Sequence, residues 1–103
     1  MPATMIQNFF RPNPGVDSGA VLELTKVAAR LWTRHGAQVS LWGVQVGENG
    51  TWVWTARFDS ATKMGATLDA LNNDPEFLAF RRDLLKAGLS TWVRGNQMFE
   101  IPL

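Results

Sequence analysis

The chain has 103 residues, a formal net charge of +1 and no cysteine. This length predicts a single domain over residues 1–103, and the near-neutral charge disfavours nucleic acid, because phosphate-binding domains usually carry a concentrated basic face. The lack of cysteine excludes disulfides, thiolate metal sites and cysteine catalysis. The N-terminal segment lacks the features of a signal peptide, and no apolar run approaches the roughly 18 residues of a membrane span. We therefore expect a soluble cytoplasmic protein without membrane contact.

The first predicted elements are a strand and a long helix. Residues 3–11 alternate imperfectly and carry aromatic and branched side chains, which predicts a strand that ends at the Pro12–Gly15 break. Asp17 or Ser18 is a suitable N-cap for a helix to about residue 35. Gly36 then stands where a left-handed residue usually ends a helix.

The remaining predicted elements are a strand over 37–47, a turn at Glu48-Asn49-Gly50, a strand over 51–59, a helix from Asp59-Ser60 to about residue 72, a helix from Asp74 to Gly88 and a strand over 90–101. The Asn-Gly pair is able to take positive φ in the hairpin turn. Phe77, Phe80 and Leu84 form the predicted buried stripe of the last helix. Gly95-Asn96 marks a predicted bulge or bend in the last strand.

This order, βαββ(α)αβ, predicts an α+β ferredoxin-like fold. Its four-stranded antiparallel sheet has the strand order 4-1-3-2 and carries its helices on one face. The hairpin strands are apolar on both sides, with Trp42, Val44 and Val46 pointing one way and Val39 and Leu41 the other. A sheet with one face in water usually alternates apolar and polar residues. We therefore expect a homodimer packed sheet against sheet, the alternative being a monomer with scattered exposed aromatic residues.

The segments WVWTARFDSATKMGATLDALNNDPEF and LSTWVRGNQMFEIPL resemble the dimeric α+β-barrel superfamily. The resemblance is to its NIPSNAP-like and antibiotic-biosynthesis-monooxygenase-like members, and it covers most of the chain from about residue 37. It rests on a tryptophan-bearing third strand, Asp-Ser, a helix and then Asp-Pro-Glu-Phe. It implies a homodimer with one pocket per subunit between helices and sheet. The superfamily includes cofactor-independent monooxygenases, cyclases, isomerases, haem enzymes and proteins of no known activity, so no particular reaction is implied.

The candidate catalytic residues are His35, Asn8 and Arg94. His35, the only histidine, is either a general base at the pocket mouth or a helix-terminal residue that interacts with the helix dipole. Monooxygenase-like members of the superfamily hold a substrate oxygen with an asparagine and a tryptophan. The resemblance implies this role for Asn8 beside Trp54 or Trp92, and the alternative is a rim or interface amide. Arg94 either pairs with a protein carboxylate or holds a substrate carboxylate, phenolate or enolate.

The candidate substrate-binding residues are Trp42, Trp52, Trp54, Trp92, Arg57 and Met64. The four tryptophans lie in predicted strands of a chain that has no tyrosine. Such side chains stack flat aromatic ligands or pack a core and a dimer interface, and both interpretations stay open. Arg57 has the same two alternatives as Arg94. One histidine, no cysteine and scattered acids give no metal-ligand spacing, so we expect neither metal nor cofactor.

The sequence is compatible with three functions. The first is a small-molecule pocket enzyme, a cofactor-independent monooxygenase or cyclase that acts on an aromatic or polyketide-like substrate. The second is a non-catalytic dimeric protein of the ligand-binding or stress type, which holds an apolar ligand. The third is an RNA-binding βαββαβ domain. Near-neutral charge disfavours it, and so does the third strand TWVWTARF, which lacks the leading basic residue and glycine of that pattern.

Overall fold

The computed structural model describes residues 2–103. Its elements are β1 (Thr4–Pro12), α1 (Ser18–Arg34), β2 (Gln38–Gly43), β3 (Trp52–Phe58), α2 (Ala61–Asn72), α3 (Pro75–Ala87) and β4 (Ser90–Phe99). The strands form one four-stranded sheet in the order β2-β3-β1-β4, and all neighbouring strands are antiparallel. The helices lie on one face, so the predicted ferredoxin-like fold and strand order are confirmed. None of the helices in the described range is long and apolar enough to cross a bilayer.

The helix ends are built by the residues that the sequence predicts. The Asp17 side chain accepts a hydrogen bond from the Gly19 backbone at 2.9 Å and caps α1. Ser60 and Asp74 cap α2 and α3 in the same way. Gly88 follows α3 with φ 60° and so ends that helix in the left-handed conformation that favours glycine.

The β2–β3 connection differs from the tight hairpin that the sequence predicts. β2 ends at Gly43 instead of residue 47, and a wide loop runs to Thr51, whose carbonyl accepts from the Val44 backbone at 3.0 Å. Gly47 and Gly50 take positive φ, whereas no non-glycine residue between 2 and 103 does. Glycine carries no Cβ penalty at positive φ, so the chain turns at its two glycines and not at Asn49.

The bulge in β4 lies at Val93 and not at Gly95-Asn96. Phe9 pairs with Arg94 and Phe10 with Trp92, so Val93 is the extra residue, whereas Gly95 pairs regularly. Alternate residues of a regular strand share a face, so Trp92 and Arg94 would point the same way without the bulge. The extra residue sends Trp92 to the helix-covered face and leaves Arg94 on the other, open face.

The packed core lies between the sheet and helices α1 and α2. Ala37, Ala56, Phe58 and Met64 form one buried cluster there. In contrast, α3 has no buried residue, and Phe77 and Phe80 are only partly covered. The predicted buried stripe of the last helix is therefore wrong as to burial, because α3 stands over a cavity instead of a packed core.

Candidate functional site

A largely apolar cavity of about 450 Å³ lies between the sheet and helices α1 and α3. This volume falls in the range that small-molecule sites usually have. Six aromatic side chains line it: Phe10, Trp32, Trp54, Phe77, Phe80 and Trp92. They come from three strands and two helices, and only the fold brings them together. We call this space the aromatic cavity.

Edge-to-face contacts order one wall of the aromatic cavity. The Trp32 and Trp54 rings are 5.9 Å apart, centroid to centroid, with their planes at 74°. Trp32 and Phe77 are 6.4 Å apart at 79°. Such pairs stabilise one another beyond simple burial, so the wall is preorganised. The Arg81 guanidinium carbon lies 5.7 Å from the Phe77 ring centroid and continues this row beyond the rings.

The Asn8 amide is the polar group that strand β1 presents to the aromatic cavity. Asn8 pairs with Trp54 on β3 and Gly95 on β4. Trp92 Nε1 donates to Asn8 Oδ1 at 3.5 Å. Asn8 Nδ2 has no hydrogen-bond partner among residues 2–103, and no side-chain nitrogen or oxygen in that range is buried without a partner. The Nδ2 donors are therefore accessible, on a residue that lines the cavity. Gly95 leaves the room for this amide, because a Cβ there would lie 2.7 Å from Asn8 Oδ1.

The chemical groups around the aromatic cavity can orient a ligand but include no ordinary general base. Arg81 is the only charged side chain among the described residues that line it. The remaining side-chain polar groups belong to Asn8, Thr25, Ser90 and the indole N–H groups of the three lining tryptophans. The Thr25 hydroxyl already donates to the Val21 carbonyl at 2.8 Å. The cavity thus offers stacking surfaces, hydrogen-bond donors and one cation.

His35 lies outside the aromatic cavity, at the C-terminal end of α1. Its Nε2 is 2.7 Å from Asp74 Oδ2, and its carbonyl accepts from the Thr67 hydroxyl at 2.6 Å. The hydrogen bond from His35 is the main reason that the pKa of Asp74 is lowered. The backbone N–H groups of Glu76 and Phe77 lower it further, against the opposing effect of burial. His35 therefore joins α1 to the start of α3.

Arg94 and Trp42 lie on the open face of the sheet and point away from the aromatic cavity. The Arg94 guanidinium carbon is 4.0 Å from the Phe9 ring centroid, and the side chain pairs with Glu48 of the β2–β3 loop. Trp42 is 62% exposed on the edge strand β2. Side-chain alternation along the strands explains both positions. Arg94 pairs with Phe9 and Trp42 with Val53, and residues paired across neighbouring strands point to the same face of the sheet.

The other predicted site residues are distributed over three places. Trp52 faces the helices but packs against Phe10, with ring centroids 5.9 Å apart. Arg57 pairs with Asp59 at 3.4 Å in a separate open cleft that His35 also lines. Met64 belongs to the packed core. Of the predicted site residues, the fold therefore brings three together in the aromatic cavity: Asn8, Trp54 and Trp92.

The residues that the sequence prediction did not include are mainly helical. Trp32, Phe77 and Phe80 line the aromatic cavity at the spacing of amphipathic helices. That spacing indicates an inward-facing stripe, but it does not distinguish a core contact from a cavity wall. Arg81 follows Phe77 by one helical turn, and this spacing is the only sequence signal that places it at the same site.

The comparisons with known proteins establish the fold. No protein-family model and no curated protein matches the chain. An uncharacterised NIPSNAP domain protein from Burkholderia xenovorans superposes with a TM-score of 0.73 and 16% identity, covering 97% of this chain and 94% of that one. SnoaB, a cofactor-independent oxygenase from Streptomyces nogalater, gives 0.72 and 15%, covering 100% and 97%. A NIPSNAP family protein from Agrobacterium tumefaciens gives 0.69 and 15%, covering 98% and 86%.

These likenesses confirm the predicted resemblance at the level of the fold. The chain has the α+β ferredoxin-like fold that NIPSNAP-domain proteins share with an oxygenase. The fold is consistent with an enzyme and with a protein of unknown activity, because one fold often carries several functions.

Proposed function

We propose that the chain binds a small planar aromatic compound in the aromatic cavity and orients it for oxygenation by dioxygen without a cofactor. The observation that carries the proposal is the aromatic lining around a single accessible amide, that of Asn8. The rings of Trp32 and Trp54 offer apolar surfaces to a flat ligand, and the Asn8 Nδ2 group donates to a ligand oxygen. The similarity of fold to a cofactor-independent oxygenase supports the same reaction class.

The proposed reaction draws its electrons from the substrate. An electron-rich aromatic ketone with an activated CH₂ group loses a proton, and the resulting carbanion reduces dioxygen. The net change converts CH₂ and O₂ to C=O and H₂O, which balances without any further reductant. The Asn8 donor stabilises the negative charge that develops on the neighbouring ligand oxygen. A single donor of this kind contributes about 10²-fold or more in other enzymes.

A second function, non-catalytic binding of an aromatic ligand, is favoured by a different observation. No aspartate, glutamate, histidine or lysine lines the aromatic cavity within the described residues. Proton abstraction there depends on the acidity of the ligand itself or on water. The cavity is then equally suited to holding a ligand that never reacts.

Oxygen uptake with anthrone as probe separates these two functions. In the oxygenase proposal the protein accelerates uptake above the protein-free rate, with one ketone formed for each O₂ consumed. Asn8→Ala lowers that acceleration by about tenfold or more, because the ligand oxygen loses its donor. Asn72→Ala is the matched control, since Asn72 is an exposed amide on α2 away from the cavity.

The binding step is measured separately by quenching of tryptophan fluorescence. Quenching without accelerated uptake supports the non-catalytic alternative. Absence of quenching at millimolar anthrone contradicts both functions, because each needs an occupied cavity.

We further propose that two copies pair through the open face of the sheet. Trp42 on this face is 62% exposed and Met98 is 38% exposed. A second copy would remove this apolar area from water. Light scattering tests the pairing directly. A measured mass of twice the chain mass of 11.5 kDa supports the dimer, and a measured mass equal to that of one chain contradicts it.

A further inference from the structure

We infer that the ligand of the aromatic cavity is an aromatic carboxylate, whose anionic group pairs with Arg81 at the cavity mouth. This inference rests on the proposed occupancy of the cavity, but it does not need any reaction to occur there. Arg81 is the only charged side chain on the cavity lining within residues 2–103. A lone cation beside apolar rings favours an anionic ligand over a neutral or cationic one.

The arginines of the chain differ in whether the protein supplies them with a partner. Arg30 and Arg34 both pair with Glu76. Arg57 and Arg94 also have acidic partners, and Arg11 donates to Thr51. Within the described range, the remaining two arginines, Arg81 and Arg82, form no ion pair and no side-chain hydrogen bond with the protein. Of these two, only Arg81 lines the aromatic cavity.

The position of Arg81 follows from helical spacing. Arg81 stands four residues after Phe77 on α3, so the two side chains are neighbours on the helix surface. The guanidinium carbon lies 5.7 Å from the Phe77 ring centroid, and this contact holds the charge near the cavity mouth. Because no protein carboxylate engages it, its planar fork of N–H donors remains available to a ligand.

The cavity therefore has two polar ends joined by an aromatic wall. Asn8 pairs with Trp54 at one end, and Trp54, Trp32 and Phe77 follow one another by edge-to-face contacts towards Arg81. A flat ligand along this wall places an oxygen acceptor at the Asn8 amide and a carboxylate at the Arg81 guanidinium. The rings give little discrimination among flat aromatic compounds, so the two ends determine which compound is preferred.

The matched probes are 2-naphthoate and 2-naphthamide, which share one ring system and differ mainly in charge. Isothermal titration calorimetry at neutral pH measures their dissociation constants for the native protein. We expect 2-naphthoate to bind about fivefold more tightly, the upper end of the effect of an exposed ion pair. High salt reduces this ratio, because it screens charges at the cavity mouth.

Arg81→Gln removes the preference and gives a ratio near one, whereas Arg82→Gln retains the native ratio. Arg82 is the matched control, since it is the adjacent exposed arginine and does not line the cavity. Arg81→Lys retains part of the preference, because the charge remains while the planar fork is lost. A cooperative thermal unfolding transition in each variant confirms that the variant is folded before its ligand affinities are compared with those of the native protein.

The possible results separate the inference from the proposed function. Equal binding of both probes to the native protein overturns the anionic ligand, although the cavity remains a binding site. Retention of the preference in Arg81→Gln, or its loss in Arg82→Gln, also overturns the assignment to Arg81. Failure of both probes to bind the folded native protein overturns the proposed function and this inference together.

Discussion

The two faces of the sheet use the same kind of side chain in opposite ways. Trp54 on the helix-covered face is 7% exposed and forms part of a cavity wall, whereas Trp42 on the open face is 62% exposed. The two residues lie on neighbouring strands, where Trp54 pairs with Leu41, the residue just before Trp42. The difference teaches that alternation along the strand, together with the helices that cross one face, decides whether a tryptophan lines the cavity or faces open space.

The helix layer itself shows a second contrast. Helices α1 and α2 pack on the sheet with fully buried residues such as Leu31 and Leu71. Helix α3 has none, and its apolar side chains line the aromatic cavity instead. One half of the covered face is thus a packed core and the other half lines the aromatic cavity.

The largest expected effect comes from breaking the packed half of the covered face. Leu31 is 0% exposed, so Leu31→Ala removes buried methyl groups and leaves a void. We expect a loss of about 3 kcal/mol in the free energy of unfolding, measured by urea denaturation. Leu85→Ala is the control, because Leu85 is 78% exposed on α3, and it changes stability by less than about 0.5 kcal/mol. Similar losses of unfolding free energy in Leu31→Ala and Leu85→Ala would contradict the conclusion that α1 contributes to a packed core whereas α3 does not.

The next effect concerns the space that Gly95 leaves for Asn8. In Gly95→Ala the new Cβ lies 2.7 Å from Asn8 Oδ1, so the amide or the strand has to move. We expect a loss of at most about 1 kcal/mol in unfolding free energy, because the Asn8 amide is the end of a rotatable side chain, and weaker ligand binding, because the amide leaves its position. Gly43→Ala is the matched strand control, since a Cβ there meets no atom within 4 Å.

A double mutant tests the cause of that loss. In Asn8→Ala the contacting amide is absent, so adding Gly95→Ala has a smaller effect on stability than it has in the native chain. Equal effects in both backgrounds would show that the steric contact with Asn8 is not responsible.

The open face is tested by the oligomeric state. Trp42→Lys places a charge within the proposed interface and raises the dimer dissociation constant by about tenfold or more, as measured by analytical ultracentrifugation. Leu85→Lys changes a similarly exposed residue on the other side of the molecule and leaves the dimer intact. A dimer that tolerates Trp42→Lys would place the interface elsewhere.

The smallest effect is the pH dependence of the link between α1 and α3. The pKa of Asp74 is lowered in the folded chain, chiefly by the hydrogen bond from His35. A lowered carboxyl pKa adds stability that is present at neutral pH and is lost as the pH falls below about 4 through the folded pKa. Asp74→Asn keeps an N-cap for α3 but loses the charge. The difference between native and variant melting temperatures therefore shrinks towards low pH, and a constant difference would contradict this origin.

Much of the fold followed from local signals in the sequence. The Asp74-Pro75-Glu76 start of α3 and the glycine at its end are determined by capping and backbone geometry, which act within a few residues. Length and order of the elements then leave few topologies, and the ferredoxin-like order was predicted for that reason. The bulge of β4 lies two residues before the predicted position at Gly95, because a glycine is only an indirect sign of where the hydrogen-bond ladder is interrupted.

The candidate site was predicted only in part. Asn8, Trp54 and Trp92 share the aromatic cavity, whereas His35 and Arg94 lie elsewhere. Their separation depends on contacts between residues distant in the chain. His35 is held by Asp74, and Arg94 is held by Phe9 and Glu48. Periodicity alone carries no information about such long-range partners.

The sequence by itself determined the elements, their order and the supply of tryptophan and phenylalanine without tyrosine or cysteine, because these depend on residue type and local spacing. Only the tertiary structure decided which tryptophans face a cavity and which face open space. The single extra residue at Val93 turns Trp92 towards the helices. Helix α3 does not pack closely on the sheet, so Phe77 and Phe80 line the cavity instead of a packed core. Both outcomes depend on how the strands and helices pack over one another, and packing is a property of the whole fold.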